Sequence, residues 1–304
     1  MAPALETRGL RKDYVGRTAV ADLSLTVQPG EVFGFLGPNG AGKTTAVKML
    51  LGLVRPTAGW GRVLGAPLSD PQARRRIGFL PEHFRFHEWL TATEFLDFHG
   101  HLYGMPAAQR RERIPQVLEA VGLVGRASDR LRTFSRGMLQ RIGLGQAILH
   151  RPTVVFLDEP TSALDPLGRR DVRELIRRLK ADGVTVFLNS HLLSEVELVC
   201  DRVAIIDRGR VVREGSLHDL LRTEWELEVR AEPLTPALLA RLRDVGATVV
   251  QNGAALTLTL PERALIPRVA EAVVQSGSAL YGLTVHERTL EDLFVASVAG
   301  GGER

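Results

Sequence analysis

Eight consecutive residues, Gly37-Pro38-Asn39-Gly40-Ala41-Gly42-Lys43-Thr44, place glycines, a lysine and a hydroxyl at the spacing G-x-x-x-x-G-K-[ST]. Glycines let such a turn fold with several backbone N–H groups pointing inward at anionic oxygens. A helix that starts at the end of the turn adds its positive N-terminal end to the same spot. In that geometry the Lys43 ammonium reaches the β- and γ-phosphates of a nucleotide, and the Thr44 hydroxyl ligates Mg²⁺. The flanking residues agree: 31–36 reads as a buried strand and 44–53 as a helix.

A second chemical element is the run Val154-Val155-Phe156-Leu157-Asp158-Glu159, apolar until two carboxylates end it. Its length suits a buried parallel strand, which puts both acids at the carboxyl end, where α/β folds bind ligands. Asp158 is the candidate for holding Mg²⁺ through water. Glu159, one residue on, points elsewhere and is the candidate base for an attacking water, a role worth roughly 10²–10⁴ in rate.

Between these elements stands Phe134-Ser135-Arg136-Gly137-Met138-Leu139-Gln140-Arg141. It resembles the signature of ATP-binding cassette (ABC) ATPases, commonly Leu-Ser-Gly-Gly-Gln; Ser135 and Gly137 match, while Phe134, Arg136 and Met138 depart. Its order between the Gly-rich turn and the carboxylates makes the resemblance specific, and it covers about residues 5–220. Ser162-Ala163-Leu164-Asp165 looks like the family's D-loop, and Asn189-Ser190-His191, after an apolar strand, like its switch histidine. Tyr14 stands where the family keeps an aromatic that stacks on adenine. The family's usual Gln after a short strand is here Glu82, and a carboxylate in that place can still ligate Mg²⁺.

The resemblance implies ATP and Mg²⁺ as ligands. Residues Gly37 to Thr44 with Thr45 would cradle the phosphates, and Thr44, Asp158 and Glu82 would face the metal. Glu159, His191 and Lys43 would carry hydrolysis. Ser135 and Gly137, with Asp165 nearby, would meet the ATP held by another chain, because each motif occurs once. Two chains are therefore expected, a second copy or a homologous ATPase, closing as a two-fold dimer with two ATP sites. The implied partner is a separately encoded membrane permease, and the implied work is export. The expected location is cytoplasmic, on the inner face of the membrane through that permease. A soluble non-transport ABC ATPase of the translation or DNA-repair type is the alternative; such members usually carry two cassettes or long coiled-coil insertions, and this chain shows neither.

Composition bounds these readings. The 304 residues suit two domains, and 44% hydrophobic with 24% charged residues is an ordinary globular balance. No apolar run approaches the roughly 18 residues of a membrane span, and Met1-Ala2-Pro3-Ala4-Leu5-Glu6 lacks the pattern of a signal peptide. The single cysteine, Cys200, excludes an internal disulfide or a thiolate zinc site. Net charge is +4, but the arginine clusters fall at helical spacing without interleaved aromatics, so nucleic acid is not expected as a partner. His83 with His87 and His99 with His101 lack the companions of a metal site.

The expected fold is α/β, a P-loop NTPase of ABC type over residues 1–221 with an α-helical subdomain at about 83–150. A small α+β domain follows over 222–304. It resembles the accessory domain of ATPase subunits from bacterial exporters and drug-resistance transporters, and reads as a dimerisation or regulatory module. Within it, Asn252-Gly253 between alternating runs predicts a hairpin, and Gly300-Gly301-Gly302 a frayed tail. The aromatic segment 84–90 is expected to form an exposed docking surface for a membrane subunit, with packing inside the helical subdomain as the alternative.

Overall fold

The computed structural model describes residues 2–221, 225–252, 255–286 and 289–299. Its strands are β1 (Leu5–Tyr14), β2 (Arg17–Val27), β3 (Val32–Leu36), β4 (Ala58–Val63), β5 (Ala66–Pro67), β6 (Ile77–Leu80), β7 (Val154–Asp158), β8 (Thr185–Asn189), β9 (Arg202–Asp207), β10 (Arg210–Ser216), β11 (Trp225–Glu232), β12 (Thr248–Asn252), β13 (Ala255–Leu260) and β14 (Ala279–His286). The helices are α1 (Lys43–Leu50), α2 (Pro71–Arg74), α3 (Ala92–Leu102), α4 (Ala107–Ala120), α5 (Arg136–Ile148), α6 (Pro166–Ala181), α7 (Leu193–Glu197), α8 (Leu217–Leu221), α9 (Pro236–Asp244), α10 (Ile266–Gln275) and α11 (Leu290–Ala299). The chain divides into two compact units, one running up to Leu217 and the other His218–Val295.

The first unit is built on a ten-stranded sheet of order β5-β4-β1-β2-β10-β9-β3-β8-β7-β6. Strands β9, β3, β8, β7 and β6 pair in parallel, while β1, β2, β4 and β5 form an antiparallel arm. Every residue of β3, β7 and β8 is buried, as strands covered on both faces must be. Phe187 holds this centre together, its ring lying 5.7, 5.4 and 5.1 Å from Phe33, Phe35 and Phe156. Contacts of this kind contribute about 0.5–1.5 kcal/mol each beyond the area they bury. The carboxyl ends of β3, β7 and β8 consequently lie side by side and deliver three loops to one edge.

Local chemistry sets the helices on that edge. Helix α1 ends at Leu50, earlier than the sequence pattern suggested. Gly52 takes φ +68°, and the N–H groups of Leu53 and Gly52 turn back to the carbonyls of Lys48 and Met49. This is a Schellman closure, and only glycine meets its left-handed position without strain. Helix α6 begins with Asp165 as its N-cap and Pro166 in its first turn, and buries Val172, Leu175, Ile176 and Leu179 along one face. Helix α3 begins with a capping box, Thr91 and Glu94 each bonding the other's backbone N–H at 3.2 and 2.8 Å. Helix α5 lies against β6 at glycines: a Cβ on Gly78 would stand 2.0 Å from the Ala147 carbonyl oxygen, and one on Gly143 2.8 Å from Leu80.

The aromatic segment divides its allegiance. Phe84 and Phe86 stack at 4.5 Å and lean on Phe95 of α3 at 6.0 and 5.7 Å, so this pair packs within the helical part instead of forming the expected surface. Trp89, 68% exposed, faces outward with Phe98 and Leu102.

The second unit runs β11-α9-β12-β13-α10-β14, with sheet order β12-β13-β11-β14 and every neighbour antiparallel. This is the ferredoxin-like split β-α-β arrangement. Alternation does the folding: Leu227, Val229 and Ala231 of β11 and Leu256, Leu258 and Leu260 of β13 point to one face, where Leu238, Leu242, Val269 and Val273 of the helices cover them. Strands β12 and β13 pair to Asn252 opposite Ala255. The turn predicted at Asn252-Gly253 and the tail predicted at Gly300-Gly301-Gly302 lie outside the described residues.

Two half-buried histidines are neutral at pH 7. His99 sits 4.5 Å from the Phe95 ring, and His150 stacks on Tyr103 at 3.6 Å with one ring nitrogen at the Ile77 carbonyl. Burial brings each down to about 4, against about 6.5 in an unfolded chain. The folded state therefore binds these protons less readily, and stability is complete above about pH 6.5 and falls as pH drops toward 4. Urea midpoints at pH 7 and 5 are expected to differ less in His150→Phe than in wild type; equal pH slopes would remove His150 from this account.

Candidate functional site

The loops from β3, β6, β7 and β8 and the tip of the β1–β2 hairpin surround a cleft of about 480 Å³. Its floor is the Gly-rich turn. A Cβ on Gly37 would stand 2.3 Å from the Ile206 carbonyl oxygen, and one on Gly42, at φ +103°, 2.3 Å from that of Ala19. Glycine is required at both positions by close backbone approach, and Gly42 leads directly into α1. Asn39, Gly40, Gly42, Lys43, Thr44 and Thr45 line the cleft, while Ala41 is buried beneath them. The Lys43 ammonium donates to the carbonyls of Gly37 at 2.5 Å and Pro38 at 3.1 Å.

Opposite stands the acid end of β7. Glu159 is held in a left-handed conformation, φ +53°, uncommon for a residue with a Cβ and found chiefly where surroundings enforce it. The enforcement is visible. The Glu159 N–H donates to the Asn189 carbonyl at 2.8 Å, and the Gln140 amide donates to the Glu159 carbonyl at 3.1 Å. Its carboxylate accepts the His191 backbone N–H at 3.0 Å and meets the His191 ring Nδ1 at 2.7 Å. Asp158, buried behind it, accepts the Asn189 side-chain N–H at 2.5 Å.

Burial and charge oppose one another here. Desolvation holds Lys43 below the ordinary lysine range, while Glu159, Asp158 and Glu82 act in the other direction. Desolvation likewise raises Asp158 above the usual carboxylate range against the Asn189 hydrogen bond, with Glu82 adding repulsion. It raises Glu159 against the His191 hydrogen bond. The site is an ammonium facing three carboxylates in a partly dry cleft.

Oxygen donors suit a hard cation: Thr44 and Glu82 line the cleft, Asp158 is buried but near enough to feel the charges of Glu82 and Lys43, and the Asn189 side-chain oxygen is buried without a hydrogen bond. Among the described residues no three His, Cys, Asp or Glu side chains converge on a metal position. A magnesium ion would thus rely on phosphate oxygens and water for its remaining ligands, as it commonly does.

The other sequence-singled residues fall elsewhere. Tyr14 lines the cleft at its mouth, with Lys12 5.1 Å from its ring centre. Ser135, Gly137 and Asp165 do not line the cleft; they share a separate hollow of about 550 Å³ on the first unit. Ser135 caps α5, its Oγ accepting the Met138 N–H at 3.3 Å, and Asp165 caps α6, accepting the Gly168 N–H at 2.8 Å. Sequence reasoning passed over Arg17, which lines the cleft, and Asn189 and Gln140, which hold the two acids. Asn189 carried a signal in its place beside His191; Gln140 and Arg17 carried none that spacing could expose.

A parallel α/β sheet with a Gly-rich turn, a lysine at a helix start and two acids on the neighbouring strand defines a P-loop nucleotide-binding domain. A family model described as ABC transporter matches residues 20–162. The chain is 50% identical over 211 residues to the uncharacterized ABC transporter ATP-binding protein all4389 of Nostoc sp. (strain PCC 7120), the match spanning 69% of this chain and 63%, less than two thirds, of that relative. It is 38% identical to the Nod factor export ATP-binding protein I of Ralstonia nicotianae, over 96% of this chain and 93% of that one. A dimeric post-hydrolysis structure of the ATP-binding cassette MJ0796 bound to ADP and Pi superposes with TM-score 0.65 and 26% identity, over 70% of this chain and 98% of that one. The chain belongs to the family of ABC transporter ATP-binding proteins.

Gly42 tests the cradle. Gly42→Ala must move the turn away from Ala19, and is expected to cost about 1–3 kcal/mol of stability together with nucleotide binding. Thermal unfolding with and without ATP reads both; an ATP-dependent rise in Tm equal to wild type would contradict the geometry.

Proposed function

We propose that this chain is the ATP-binding and ATP-hydrolysing subunit of a transporter that exports its substrate, acting as one of two ATPase chains beneath a separately encoded membrane permease. The observation that carries the reading is the separation of the two half-sites. Lys43, Glu159 and His191 meet in one cleft, whereas Ser135 and Gly137 sit in another hollow, so one chain offers two unlike halves. Two chains in two-fold relation would complete both.

In that assembly the turn from Gly37 to Thr45 would hold the phosphates through backbone N–H groups, with Lys43 neutralising the terminal two. Mg²⁺, when bound through Thr44, Asp158 and Glu82, would neutralise charge on the phosphate oxygens. Glu159 would orient a water and accept its proton at the carboxylate that His191 holds. Its raised proton affinity suits that task. Ser135 and Gly137 would contact the γ-phosphate from the other chain. The difference in energy between closed and open dimers would drive the permease.

Export as the direction draws support from the name of the Ralstonia relative. No helix among the described residues is long and apolar enough to cross a membrane, and attachment to the inner face would come through the permease. Trp89, Phe98 and Leu102 are outward apolar side chains of the helical part and form the proposed docking surface. We assign residues 1–221 to the ATPase domain and 222–304 to an accessory domain for dimerisation or regulation.

Glu159→Gln is expected to lower ATP turnover at least a hundredfold and to accumulate an ATP-bound dimer in gel filtration. Turnover equal to wild type would remove Glu159 as the base. Trp89→Asp with Phe98→Asp is expected to abolish co-purification with the permease while ATP binding persists; undiminished co-purification would place the docking surface elsewhere.

A further inference from the structure

The tip of the β1–β2 hairpin has a chemistry that the motifs do not describe. A two-residue turn, Val15-Gly16, joins the strands, and Tyr14 faces Arg17 as the last pair. Residues directly opposed in an antiparallel pair project to the same face, with Cβ atoms about 4.5–5.5 Å apart. The tip therefore presents an aromatic ring and a guanidinium side by side, and both line the Lys43 cleft. Arg17 Nη2 reaches the Gly40 carbonyl oxygen at 3.5 Å, a long contact to the outermost bend of the phosphate turn. Its other N–H groups meet no protein acceptor among the described residues.

Charge explains why a cation belongs there. The carboxylates of Glu82 and Glu159 line the cleft and Asp158 is buried behind them, while Lys43 is engaged by carbonyls at the closed end of the turn. A nucleotide triphosphate adds about four negative charges to that neighbourhood, and Lys43 together with one Mg²⁺ would not balance both them and the three carboxylates. Arg17 lies at the open end, between the ring suited to a base and the turn suited to the terminal phosphates. The part of a nucleotide that spans this gap is the ribose and the α-phosphate, and a planar guanidinium matches a phosphate with two parallel N–H donors.

We propose that Arg17 binds the α-phosphate of ATP and adds to the preference that the turn gives the cleft for nucleotides over nucleosides. This rests on the ATP reading above and adds to it a residue that makes affinity but not chemistry. Because the guanidinium is exposed, its contribution is electrostatic and screened by salt.

Calorimetric titration of the full chain with ATP, ADP and adenosine, beside Arg17→Ala and Arg17→Lys, tests this. Arg17→Ala is expected to weaken ATP and ADP about tenfold and to leave adenosine unchanged. The salt dependence of ATP binding should become shallower, and Arg17→Lys should recover part of the loss. In steady-state hydrolysis the effect should fall on KM far more than on kcat. Equal ATP affinity in wild type and Arg17→Ala overturns the proposal, as does a proportional loss of adenosine, which would mean a displaced hairpin. Failure of wild type itself to bind ATP overturns the reading beneath it, and is told apart by that first titration.

Discussion

One charge organises the carboxyl edge of the central sheet. The Lys43 ammonium is half-buried, its desolvation opposed by three carboxylates and two backbone carbonyls that turn toward it. The turn that carries this cation is itself packed tightly against neighbouring backbone: the Ile206 and Ala19 carbonyl oxygens would stand 2.3 Å from a Cβ on Gly37 and Gly42, so both positions require glycine. The fully buried strands β3, β7 and β8 exist in the same sense for this edge. Their register fixes the Asp158–Asn189 pair opposite the turn that carries Lys43.

The carboxylates depend on one another as well as on the lysine. Glu159 is held in its left-handed backbone by bonds to Asn189 and Gln140, and its side chain is held by His191. Gln140 stands on α5, five residues beyond the Ser135 cap, so the helix that carries the signature hollow also reaches the acid of the cleft. The two half-sites that the proposed dimer would assign to different nucleotides are thus joined by one amide hydrogen bond within a single chain.

How much of this the sequence disclosed follows from chain continuity. The Gly-rich turn, the β7 acids and the alternating strands of the second unit are legible because neighbours in sequence build them. The end of α1 is blurred in the sequence because apolar residues continue to Leu53, although Gly52 supplies the left-handed closure. Phe84 and Phe86 were expected to be exposed because a short aromatic run has no intrinsic face; only Phe95, on the following helix, gives them one. Arg17 and Gln140 were invisible for a related reason. Each meets a backbone carbonyl well along the chain, Gly40 for Arg17 and Glu159 for Gln140, and single-sequence spacing holds no record of which residues such contacts join.

The contact between β6 and α5 has a mechanical consequence. At Gly78 the strand backbone meets the Ala147 carbonyl with no side chain between them, and at Gly143 the helix backbone admits the Leu80 side chain. Side-chain layers between elements act as bearings, because rotamers can change as surfaces slide. Here that layer is thinned to a glycine on each element, so the helix that Ser135 caps and the strand that precedes Glu82 have little room to slip past one another. Any residue larger than glycine at either position would have to part helix and strand.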